Sequence, residues 1–237
     1  MTSSQRSVGF GSLVEDIFGL NIRGLITIRD VIVRPRVVAE AARDEEWLRR
    51  YTPSIRLVFF LLTLTSVFRF LWAPKDSAIT ARLSEAFQGQ VPDGMEAGLA
   101  ADQYMAVYGA LYPLLVVAFV VLAAVFVRVW GREASATLRI RLHLMVVIPS
   151  SACSALSIWT FALYDGSIST NFVIATLIGL TIGLLVDFVM AFRCVAATGQ
   201  AVKIGKALLF SVVTQTAHFA AAGLSANVAV VVATNGI

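Results

Sequence analysis

Tyr104–Val127 reads YMAVYGALYPLLVVAFVVLAAVFV, 24 residues without one charged side chain. A helix crossing a hydrocarbon core of ~30 Å needs about 20 mostly apolar residues. This stretch is therefore expected to span a membrane. Three more charge-free gaps follow it. Arg141 to Asp165 encloses 23 residues, Asp165 to Asp187 encloses 21, and the 31 residues after Lys206 hold no Asp, Glu, Lys or Arg. These predict spans near 104–127, 142–164, 171–192 and 207–233. A fifth is expected at 54–73, although its charge-free part is only Leu57 to Phe68. Arg56 and Arg69 sit near its ends, where long basic side chains can reach the headgroups. Trp72 suits an interfacial aromatic belt, and Thr52-Pro53 suits a helix start with Pro at the first helical position.

Composition agrees with this reading. Of 237 residues, 58% are hydrophobic and 14% charged, against about 25% charged in ordinary soluble domains. That excludes a disordered chain and leaves too little polar surface for a water-soluble globule. The net charge of +4 does not point to nucleic acid, because the basic residues cluster beside the apolar segments. Cys153 and Cys194 lack metal-ligand or CxxC spacing and read as free thiols. No cleavable signal peptide is visible, so the first span is expected to act as its own insertion signal.

The same basic residues orient the spans. Residues 1–53 carry eight Arg, the 128–141 loop four, and the 193–206 loop three Lys/Arg; the opposite side has only Lys75 and Arg82. Positive charge stays on the cytoplasmic side. The expected architecture is all-α: a five-helix transmembrane bundle with the N-terminus cytoplasmic and the C-terminus extracytoplasmic. It divides into a cytoplasmic, amphipathic region, 1–52, and a transmembrane domain, 53–237.

In the first region, the 11–20 and 23–33 stretches mix aliphatic and charged residues. Leu25, Ile28 and Ile32 recur at helical spacing, with Arg23 and Asp30 free to face water, as in a helix lying in the membrane interface. Arg23, Arg29, Arg34 and Arg36 are the candidate contacts to the membrane surface. Between the first two spans, Ile79, Leu83 and Phe87 predict a short amphipathic helix ending at Gly89.

Ionisable residues within a span raise a functional question. Asp187 lies near the inner end of the fourth span, at the foot of a column of small residues, Ala175, Gly179 and Gly183. Such spacing admits a close helix neighbour, so Asp187 is expected to face protein. It is either a proton or cation site, or a structural group paired with a basic residue, with Arg193 and His143 as candidate partners. His143 opens the third span and reads as an interfacial contact. His218 lies near mid-bilayer with Gln215 and Thr214 one turn earlier, a polar stripe suited to interhelical hydrogen bonds or a relay. His143 and His218 lie at different depths, which disfavours a shared metal or haem. In the third span, Pro149 followed by Ser150, Ser151, Cys153 and Ser154 predicts a kink facing the bundle interior. No GxSxG, HExxH or Walker motif is present. Neither catalytic nor cofactor nor metal residues are assigned.

One further pattern carries a resemblance. Val33-Arg-Pro-Arg-Val-Val, then Arg49-Arg-Tyr-Thr-Pro53, Tyr108 to Pro113, His143 and Ala191-Phe-Arg193 together resemble an uncharacterised bacterial family of membrane proteins. That family is distantly similar to the Yip (Ypt-interacting) five-span proteins. The resemblance implies five spans and a cytoplasmic N-terminus. It implies no catalytic residues. From its small-residue seams, its interfacial N-terminal region and the lack of a reaction motif, the chain is expected to be a non-catalytic protein of a bacterial cytoplasmic membrane, a scaffold or accessory subunit whose partners are the bilayer and other membrane subunits or its own copies. The alternative is a transporter of protons, a small solute or lipid. A lipid-directed enzyme using Asp187 with His143 is a third class.

Overall fold

The computed structural model describes residues 22–44, 47–72, 78–92, 94–131, 133–162, 168–197 and 199–235. The 11–20 stretch and Arg132 lie outside them, as do the side chains of Trp72, Ser154 and Ala175. Among the described residues the protein is all helix, with no strand. Three short helices come first: α1 (Ile22–Val33), α2 (Pro35–Ala41) and α3 (Trp47–Arg50). Then follow α4 (Ser54–Trp72), α5 (Ala78–Phe87), α6 (Ala97–Phe126), α7 (Ala136–Ala162), α8 (Ile168–Cys194) and α9 (Gln200–Asn235).

Three helical stretches are long and apolar enough to cross a membrane, namely Ala97–Phe126, Leu177–Cys194 and Gln200–Asn235. By length and composition among the described residues, the count is three rather than the expected five. Within α4 the described side chains, Ser54–Val67, form a shorter apolar stretch. The first two turns of α7 carry Arg139, Arg141 and His143, and its side chains beyond Cys153 lie outside the described residues. At about 1.5 Å rise per residue, the 30 residues of α6 reach about 45 Å, beyond the ~30 Å hydrocarbon core.

Helix α9 packs along α6 and α8, and α4 packs on α7 and α6. The packed face of α9 is Ala217, Ala221, Ser225, Ala229 and Ala233, each four residues apart and buried. Opposite it α6 buries Ala100, Ala101, Val116, Val120 and Ala124. Small side chains at this spacing let two backbones approach and gain dispersion contact over many turns. The outward faces are aliphatic: Leu177, Ile178, Ile182, Leu185 and Val189 on α8, and Leu208, Leu209, Val212 and Val231 on α9, are exposed.

Between the first two long helices, α5 forms as expected. Phe87 is buried with Ala100, Ala101 and Ala233, with Leu83 packed against them. Gly89 then takes φ +74°, a left-handed conformation that side chains with a Cβ rarely adopt.

The N-terminal helices are docked on the bundle rather than lying free beside it. The inward face of α1 is Thr27, Asp30 and Val31, while Leu25 and Ile32 point outward. Arg23 is exposed and Ile28 packs against the core, in line with the spacing, whereas Asp30 is buried and Leu25 and Ile32 are not. The cause is Thr27, whose hydroxyl donates to the Arg23 carbonyl at 2.7 Å and accepts from the Thr52 N–H at 3.0 Å. The start of α4 differs correspondingly. The Thr52 side chain makes no capping bond, its N–H is bound by Thr27, and the helix begins at Ser54, one residue after Pro53.

Candidate functional site: a polar stripe on α9 and an arginine knot

The polar residues of α9 sit on consecutive turns in an Ala-rich helix, and each ties to a different neighbour. Thr214 Oγ1 is 3.1 Å from His143 Nε2 on α7. Gln215 Nε2 donates to Asp187 Oδ2 on α8 at 2.8 Å. His218 Nδ1 is 3.4 Å from the Tyr112 hydroxyl on α6. One turn earlier the Ser211 hydroxyl donates to the Leu184 carbonyl at 2.7 Å. The stripe therefore joins all three long neighbours of α9.

Asp187 faces protein, as its column predicts, and it is fully buried. Its partner is neither Arg193 nor His143. Gln215 holds one carboxylate oxygen and Ser150 lies beside the group from α7. Arg193, six residues further along α8, turns away. Its two terminal nitrogens donate to the Ile32 and Val33 carbonyls at 3.1 and 3.2 Å. Asp187 Oδ1 makes no hydrogen bond.

The column itself divides. A Cβ at Gly183 would stand 2.8 Å from Gln215 Nε2, whereas nothing lies within 4 Å of one at Gly179. Gly179 is exposed. Gly183 gives room for the amide that bonds Asp187, and a second small-residue seam lies on α9. The Ala217–Ala233 series obeys the same four-residue rule and was open to the same reading.

His143 packs inside the protein rather than standing open to a loop or headgroups. Helix α7 begins at Ala136, so His143 lies two turns inside it and is fully buried. Its ring lies 4.3 Å from that of Phe210. His143 meets Thr214 and Phe210, and His218 meets Tyr112, so each histidine keeps its own partner. No group of three or more His, Cys, Asp or Glu gathers at metal-binding separation among the described residues. The helix continues through Pro149, and the Ser150 hydroxyl bonds the Val147 carbonyl at 2.9 Å.

A second feature, on α6, was legible in the spacing but not singled out. Tyr104, Tyr108 and Tyr112 recur every four residues. Their rings are stacked at 6.0 and 5.6 Å between centroids. Phe87 from α5 adds to one end at 6.0 Å, and His218 meets the other.

The expected membrane-surface arginines separate into two groups. Arg23 and Arg29 are exposed on α1, and Arg29 pairs with Asp30 at 2.8 Å. Arg34 and Arg36 instead join Arg193 around a cavity of about 290 Å³, with Pro35 and Val37. Arg36 Nε donates to the Arg193 carbonyl at 3.1 Å. From α7, Arg141 donates to the Ala42 carbonyl at 2.8 Å. Charged side chains from two long helices thus hold the backbone of the N-terminal helices. Beside this knot, burial pushes the Tyr51 hydroxyl above its ordinary value of 10, and the nearby Arg50 opposes the shift.

No protein-family model, curated protein or solved structure matched the chain.

Proposed function

We propose that the protein is a non-catalytic integral membrane protein, a scaffold or accessory subunit of a larger assembly in a bacterial cytoplasmic membrane. In this reading α4 and α7 cross the bilayer together with α6, α8 and α9. The N-terminus is cytoplasmic and the C-terminus extracytoplasmic, as in the five-span proteins the sequence resembles. The observation that carries the proposal is how the α9 stripe is used. Thr214, Gln215 and His218 are each committed to another helix of the same chain, while the outer faces of α8 and α9 are aliphatic. Polar groups used in this way hold a bundle together, and the outer faces are left for lipid or a partner helix. The α1–α3 region, fixed to the inner ends of α7 and α8, suits a platform on the cytoplasmic surface.

The test is a photo-reactive residue at Ile182, on the exposed face of α8 beside Gly179, followed by irradiation in cells and purification in mild detergent. A discrete adduct with one membrane protein or a second copy is expected. A monomer free of protein adducts, with the same result from Leu185, would contradict the reading.

A second reading is favoured by one set of atoms. Asp187 Oδ1, His143 Nδ1 and His218 Nε2 are buried without a partner. Unsatisfied ionisable groups within a membrane helix are the usual sign of a proton or solute path. Transport predicts that Asp187→Asn and His218→Ala change uptake, efflux or pH response. The scaffold reading predicts that neither does.

A further inference from the structure

We propose that the cavity between the α1–α2 junction and the end of α8 binds a phosphoryl anion, held by Arg34, Arg36 and Arg193. Three arginines border one open cavity with a proline and a valine, and among the described residues no acid borders it. Like charges brought together repel. A fold that gathers them through separate, distant stretches of chain is complementary to an anion. Asp30, four residues before Arg34, is engaged by Arg29. Lys203 approaches the same end of α8, its ammonium 4.5 Å from the Phe192 ring centroid.

Donor capacity agrees. A guanidinium carries five N–H donors. Arg193 uses both terminal nitrogens on the Ile32 and Val33 carbonyls, one bond each. These bonds fix its plane against the α1–α2 junction. Arg36 commits only its Nε, to the Arg193 carbonyl, and retains both terminal nitrogens. Among the described residues Arg34 has no acidic partner. The planar fork of Arg matches two oxygens of a phosphate at once, which an ammonium group does not. The cavity volume, about 290 Å³, is near the lower end of the ~300–1,000 Å³ common for ligand sites. It suits a headgroup-sized anion.

The rim gives the source. Ile32, Val33 and Val37 are 45%, 59% and 44% exposed beside the arginines. A basic cavity edged by aliphatic side chains matches a lipid whose phosphate enters while its acyl chains stay on the apolar edge. The structure thus assigns the cavity to an anionic phospholipid headgroup, with free phosphate as the other source of the same chemistry. The inference rests on the membrane reading only for that source.

The experiment uses the full chain in detergent, exchanged against phosphatidylglycerol, phosphatidylcholine or inorganic phosphate, with bound phospholipid counted by native mass spectrometry. Phosphatidylglycerol should be retained over phosphatidylcholine, and Arg34→Gln should lower its affinity by roughly fivefold to tenfold, the scale of a charged bidentate contact. Arg23→Gln removes one charge outside the cavity and should change it by less than about twofold. Competition by millimolar phosphate, relieved by Arg34→Gln, supports the anion site with a soluble source. Equal loss in Arg34→Gln and Arg23→Gln, or indifference to both lipid charge and phosphate, overturns it. Binding is read without reference to span number or partner, so its failure is distinct from failure of the scaffold reading.

Discussion

Gln215 Nε2 lies 2.8 Å from Asp187 Oδ2, in the space that the absent side chain of Gly183 leaves open. Three residues on two helices thus form one unit. The carboxylate is buried, the amide satisfies one of its oxygens, and the glycine admits the amide. Removing the amide leaves a buried acceptor without its donor, which costs about 1–3 kcal/mol. Gln215→Ala should therefore lower the thermal midpoint in detergent clearly. Asp187→Asn keeps an acceptor for Gln215 and should cost within about 1 kcal/mol, the ordinary scale of a hydrogen bond between membrane helices.

The two glycines of the α8 column should part company. Gly183→Ala places a Cβ against the Gln215 amide and should destabilise the protein, whereas Gly179→Ala meets nothing and should be neutral or slightly stabilising. Because Gly183→Ala and Gln215→Ala disturb the same contact, their combined effect should fall short of the sum by about 0.5–3 kcal/mol. A double-mutant cycle on unfolding in detergent measures it; strict additivity would separate glycine and amide.

The α9 seam makes a prediction about size. Ala221 is buried against its neighbours and Ala220 is exposed. Ala221→Leu should overpack the interface and cost about 1–3 kcal/mol. Ala220→Leu adds the same atoms outside the seam and should leave the melting temperature nearly unchanged.

The difference between these helices shows what a linear reading can reach. Helix α5 was legible because Ile79, Leu83 and Phe87 mark one face and Gly89 marks a stop, all within eleven residues. That Asp187 faces protein was legible from cost alone, since a carboxylate is too expensive against lipid. Its partner was not. Arg193 is close along the chain and opposite in charge, but helix rotation turns it to the Ile32 and Val33 carbonyls, while Gln215 arrives from 28 residues away. The partner of His143 was hidden for the same reason, since Thr214 reaches it from 71 residues away. The outward position of Leu25 and Ile32 was hidden too, because the contact of Thr27 with Thr52 decides how α1 is rolled.

That contact is testable. Thr27→Val preserves shape but leaves the Thr52 N–H without its acceptor, at a cost of about 1–3 kcal/mol. The loss should fall on the docking of α1–α3 more than on the long helices. Limited trypsin digestion should cut faster at Arg43 and Arg49, while the helical circular-dichroism melt shifts little.

The account as a whole stands on how the long helices lie across the bilayer. Single cysteines at Asn235 and at Ser135, in a protein with Cys153 and Cys194 replaced by Ala, can be challenged with a membrane-impermeant maleimide in intact cells. The account predicts labelling at 235 without permeabilisation, and at 135 only after it. Labelling at 135 in intact cells with protection at 235, or both positions on one side, would contradict it.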